Sequence, residues 1–133
     1  MPEPRVTLRR AYDSPPRRPV QFTRVLVDRT WPPGVRKRDL AVDLWVRDLA
    51  PSISLRRLSD HRPECWDEFR RRYREQLRDT ERARLLDELA ALAGREPIIL
   101  LFAARDRTHN HAVLIAEAIE ERLAGGQGPV PPS

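Results

Sequence analysis

The chain is predicted to be a small single α/β domain with a mainly parallel central sheet flanked by helices. Three stretches carry that expectation: the aliphatic core Val25-Leu26-Val27, the unbroken apolar run from Ile98 to Ala104, and the helical periodicities that fall between and after them. Strands separated by helical patterns need crossover connections, and such connections make neighbouring strands parallel. With 133 residues, the chain can bury a core without a disulfide or a structural metal.

Residues Arg5 to Arg10 alternate through Val6, Thr7, Leu8 and Arg9 and predict a first strand. Tyr12 to Pro19 is rich in turn formers and prolines, which remove backbone donors, and is expected to be a loop. The Val25 strand follows and is stopped by Trp31-Pro32-Pro33-Gly34, where continued pairing is disfavoured. Arg36-Lys37-Arg38 is then expected as a solvated basic turn, with phosphate contact as the alternative reading.

From Asp39 onward, Leu40, Val42, Leu44, Trp45 and Leu49 can be gathered on one side of a short helix. Asp39 or Asp43 would cap it, and Pro51 would end it. A further helical turn is expected over Leu55 to Leu58. The strongest helical signal is Trp66, Phe69, Tyr73 and Leu77, spaced three and four apart, with Asp67 and Glu68 opposing the helix dipole. Asp79-Thr80 marks a break or a new cap, and a second apolar face runs through Ala83, Leu86, Leu89, Ala90 and Ala93 to a stop at Gly94.

The Ile98 to Ala104 run reads as a central strand covered on both faces. The final helix is expected from Thr108 or His109 and carries Ala112, Ile115, Ala116, Ile119 and Leu123. Residues 1–124 make the domain, and 125–133, rich in glycine and proline, a flexible tail.

Composition narrows the function classes. No apolar run approaches the roughly 20 residues that cross a bilayer, and Met1-Pro2-Glu3-Pro4-Arg5 has no apolar signal region, so a cytoplasmic protein with no membrane partner is expected. Cys65 is the only cysteine, which excludes an internal disulfide. The formal charge of +5 favours polyanions only if the cations cluster, and here acidic residues are interleaved almost throughout.

Both organising strands end in charge, at Asp28-Arg29 and at Arg105-Asp106. In an open parallel sheet, ligands bind beyond the carboxyl ends of the strands. If the two strands are neighbours, Asp28, Arg29, Arg105 and Asp106 meet at one edge. Two arginine forks and a helix N-terminus would then make a site for a phosphate or carboxylate. Charges that merely terminate a sheet look the same in sequence.

Thr108-His109-Asn110-His111 adds titratable groups. His109 and His111 stand two positions apart, so they cannot share a helix face as a zinc pair would, and no metal site is expected. One histidine at the sheet edge could exchange protons near neutral pH while the other caps or packs. The candidate catalytic residues are therefore His111, His109 and Asp28, and the candidate ligand-binding residues Arg29, Arg105, Asp106, Trp31 and Asn110. Trp31 and Trp45 could stack on a ligand ring or anchor the core. Cys65 has no adjacent base in sequence.

Taken together, Val25-Leu26-Val27-Asp28-Arg29, Trp31-Pro32 with Gly34, Leu49-Ala50-Pro51-Ser52, Leu100 to Asp106 and His109-Asn110-His111-Ala112 resemble the YeaO-like branch of the bacterial domain of unknown function 488 family, over about Val6 to Leu123. The resemblance implies a small cytoplasmic α/β protein and names no reaction and no cofactor. The family pattern reads Trp-Pro-Arg-Gly where this chain has Pro33, which removes one potential anion donor. Other branches carry Cys-His-Arg after the last strand, where Asn110-His111-Ala112 stands here without a thiol.

The leading expectation is a protein that binds a small anionic ligand at the edge formed by these groups. If it is an enzyme, the reaction would be hydrolysis or group transfer, with Arg29 and Arg105 holding charge and His111 moving protons. The alternative is a non-catalytic module whose basic surface docks on nucleic acid or a partner protein.

Overall fold

The computed structural model describes residues 5–13, 22–59 and 63–127. Its centre is a four-stranded, wholly parallel sheet in the order β1-β4-β2-β3, built from β1 (Val6–Arg10), β2 (Thr23–Leu26), β3 (Leu44–Trp45) and β4 (Ile98–Phe102). The apolar run after Pro97 is the strand between β1 and β2, and all five of its residues are buried. Val25 pairs with Leu100 and Leu26 with Leu101, so the two organising strands are parallel neighbours. The ladder continues one residue past β2, where Val27 N–H donates to Leu101 O at 3.1 Å.

Side-chain alternation divides the sheet cleanly. Val25, Val27, Ile98, Leu100 and Phe102 face one layer, formed by α1 (Ile53–Ser59), α2 (Trp66–Gln76), α3 (Thr80–Arg95) and α4 (His111–Gln127). Leu26, Ile99 and Leu101 face the other way, against Phe22, Trp31, Leu40, Val42 and Trp45. Among the described residues the helices gather on one face, and an extended tryptophan-bearing segment covers the second.

That segment corrects the helix expected over Asp39 to Ala50. Residues Lys37–Asp39 and Arg47–Leu49 are single 3-10 turns, and between them the chain is extended and forms β3. Leu40 and Val42, two positions apart, both reach the second sheet face, which an extended chain permits and a helix does not. Ladder contacts complete the strand: Asp43 N–H donates to Arg24 O at 2.8 Å and Val46 N–H to Leu26 O at 3.0 Å. The apolar pattern fits either period over so short a span, and tertiary pairing decides it.

The helix ends meet one expectation and correct the others. The break at Asp79 is a true cap, its carboxylate accepting from Arg82 N–H at 2.8 Å. Gly94 does not end α3, which continues to Arg95 and stops where Glu96 becomes extended. The last helix starts at His111, two or three residues later than expected, because Asn110 Oδ1 accepts from Val113 N–H at 3.1 Å. It also runs to Gln127, past the glycines expected to open the tail; residues 128–133 lie outside the described residues. Gly34 (φ 79°) sits third in the turn closed by Val35 N–H on Pro32 O, a position that requires a left-handed backbone.

Candidate functional site at the carboxyl edge of the sheet

Because all four strands point the same way, the segments leaving β1, β2 and β4 emerge at one edge and surround a cleft of about 990 Å³. Asp28, Arg29, Arg105, Asp106, His109, Asn110 and His111 all line it. Trp31 does not. It lies on the other sheet face, its ring edge-on to Trp45 at 5.7 Å and its Nε1–H donating to Val35 O at 2.6 Å.

Asp28 is the hinge of the site. Its Oδ2 accepts from Ala103 N–H at 2.9 Å, which ties the exit of β2 to the exit of β4. Its backbone carbonyl accepts from Trp45 Nε1–H at 2.8 Å. The remaining oxygen, Oδ1, lies 3.0 Å from His111 Nε2, with both side chains about 15% exposed. That nitrogen also lies 3.2 Å from Val27 O, an acceptor only, so Nε2 carries the proton. The N–H is aligned on the carbonyl, and Asp28 Oδ1 is left buried without a well-directed donor among the described residues.

Arg29 is held by the segment that follows β3. Its Nη2 donates to Pro51 O at 3.1 Å and reaches Ala50 O at 3.5 Å. Its Nε–H is buried and meets no acceptor among the described residues. The carbonyls that hold it are themselves pinned. Arg82 donates to Ala50 O through Nε and Nη2 at 3.1 and 2.8 Å, and Gln76 and Ser52 exchange hydrogen bonds at 2.8 and 3.0 Å. The fully buried Tyr73 donates its hydroxyl to Leu49 O at 2.6 Å; burial pushes the phenol well above its ordinary range, so it acts as a donor at every relevant pH.

Asp106 and Asn110, expected as ligand groups, are occupied in shaping the loop. Asp106 Oδ1 accepts from the backbone of His109 and of Thr108, both at 2.9 Å, and these bonds lower its pKa. Asn110 donates to Asp106 O at 2.8 Å and caps α4. Arg105 is exposed at the rim and makes no hydrogen bond or ion pair among the described residues.

The cleft also gathers residues that sequence reasoning did not single out: Arg10, Tyr12, Arg56, Trp66 and Phe69. Arg10 donates to Ala104 O at 2.8 Å and lies over the Tyr12 ring at 4.9 Å. Both follow or end β1, so the rule that pointed to Asp28 would have found them had it been applied to the first strand. Trp66 and Phe69 were visible only as a core-facing helical stripe.

Four arginines thus stand against two carboxylates around the cleft, one of them turned into its own loop. The N-terminus of α4 opens on the same space. The field favours an anion. Proton transfer is less well served, since the His111 Nε2 proton is directed at a backbone carbonyl.

Residues 5–133 match the family model described as the inactive DUF488-N3 subclade. An uncharacterised Mycobacterium tuberculosis protein is 41% identical over 120 residues, which span 90% of this chain and 98% of the relative. An uncharacterised Mycobacterium bovis protein matches to the same extent. The uncharacterised Escherichia coli protein YeaO is 35% identical over 112 residues, covering 84% of this chain and 94% of its own. No solved structure matches the chain.

Proposed function

This chain belongs to the DUF488 family, in the subclade described as inactive, and from that membership we propose that it binds a phosphate- or carboxylate-bearing small molecule without turning it over. The observation that carries the reading is the buried Nε–H of Arg29, a cationic donor beside the cleft with no acceptor among the described residues. An unpaired buried donor costs about 1–3 kcal/mol, and more when it is charged. An anion seated there would recover that cost, with Arg105 at the rim as a second fork.

Hydrolysis or transfer would need a base free to reach the ligand. His111 holds its Nε2 proton toward Val27 O, and Asp28 gives Oδ2 to Ala103 N–H and keeps Oδ1 buried beside His111 Nε2 at 3.0 Å. The word inactive in the subclade's name agrees with the absence of turnover. For the nucleic-acid alternative, the helix with the most arginines is α2, but Arg70, Arg71, Arg72 and Arg74 are ion-paired to Glu68, Glu117 and Glu121. That arrangement makes the helix a poor polyanion surface.

The test is equilibrium titration with inorganic phosphate and with ribose 5-phosphate. Arg29→Ala is expected to weaken binding at least ten-fold and Arg105→Ala several-fold. Replacing Arg36, Lys37 and Arg38 together with alanine should leave it within two-fold. Full binding by both cleft variants would remove the site from this edge.

A further inference from the structure

Phe69, Trp66 and His109 form one stack of rings. Phe69 and Trp66 have centroids 5.7 Å apart with planes inclined by 23°, and Trp66 and His109 have centroids 4.8 Å apart at 20°. Exposure rises along the stack, from Phe69 at 2% through half-buried Trp66 to His109, whose side chain is 52% exposed. The backbone that carries the outermost ring is anchored in its own loop. His109 N–H donates to Asp106 Oδ1 at 2.9 Å, and Nδ1 lies 3.8 Å from Oδ2. All three rings line the cleft that Arg29 and Arg105 also line.

A bare phosphate would occupy only a small part of a 990 Å³ cleft, whereas sites of roughly 300–1,000 Å³ take whole organic ligands. A stack that begins in the core and ends on an accessible face offers a preorganised platform for one more planar ring. Aromatic pairs favour just such near-parallel, offset contacts.

We propose that the ligand is a nucleoside monophosphate, its phosphate at Arg29 and Arg105 and its base continuing the stack on the outer face of His109. This inference rests on the anion reading above and adds the chemistry of the ligand's other end. The base makes no demand on hydrogen-bonding edges, so purine and pyrimidine monophosphates bind with affinities ordered by stacking strength.

The experiment compares adenosine monophosphate with ribose 5-phosphate, which share the sugar phosphate and differ by the base, by calorimetric titration of the full chain. The wild type is expected to prefer the nucleotide by about ten-fold or more. His109→Ala should bring the ratio of the two affinities close to one, and His109→Phe, which keeps a ring, should restore it. Arg29→Ala should weaken both ligands in proportion and leave the ratio intact. Equal binding of the two ligands by the wild type, or a preference that survives His109→Ala, would overturn the proposal while leaving the anion site standing. Failure of the wild type to bind either ligand would overturn both.

Discussion

Asp28 was legible in the sequence as a charge at a strand end, but its partners were not. The pairing with Ala103 depends on the backbone of a residue 75 positions away, which no local pattern announces. Asp28→Ala should leave that N–H without its acceptor and cost about 1–3 kcal/mol, read as a lower urea midpoint at unchanged slope. Asp28→Asn keeps an acceptor oxygen and should recover most of the loss; an asparagine variant as unstable as alanine would shift the weight to the charge facing His111. Asp13 offers a separate check. A two-pronged hydrogen bond from Arg107, at 2.7 and 2.9 Å, is the main reason its pKa falls from 3.8 to about 2. A carboxylate held low in the folded state contributes stability that is complete above pH 3.8 and is lost as the pH falls toward 2. The stability of wild type and Asp13→Asn, followed by urea titration at successive pH values, should therefore converge across that window. A constant gap would contradict the assignment.

Among the elements, those with a clear local pattern were readable, and β3, defined by pairing alone, was not. The unbroken apolar run of β4, the periodicity of α2 and the capping aspartate of α3 each state their structure locally. β3 has two residues and owes its existence to β2 beside it and to the sheet face that Leu40 and Val42 cover. Two substitutions probe what the elements contribute. Asp79→Ala removes the cap and the 2.7 Å contact with Arg82, and should lower stability by about 0.5–2 kcal/mol. Tyr73→Phe leaves Leu49 O unsatisfied inside the core, at a cost of about 1–3 kcal/mol. Because Tyr73 braces the turn before Ala50 and Pro51, whose carbonyls hold Arg29, the same variant should also weaken phosphate binding. Tyr73→Phe with unchanged affinity would show that the brace does not reach the site.

At the scale of the whole molecule, the parallel sheet brings the exits of β1, β2 and β4 to one edge, and function follows from what those exits carry. The adjacency of the Val25 and Leu100 strands was an inference from their composition, and the register bears it out. The one-sided helical layer was not foreseen, because the segment from Asp39 to Ala50, which pairs with β2 and covers the second face, looked helical in isolation. Arg10, Tyr12 and the ring stack entered the cleft from elements whose apparent business was structural. The most direct test of an anion at this edge is a nitrogen-15 NMR titration with inorganic phosphate, following backbone amides and arginine Nε–H signals. The largest shifts are expected at Arg29 Nε–H and along Arg105 to His109. Shifts confined to Arg36 to Arg38 or to the outer face of α2, with Arg29 unmoved, would contradict the account.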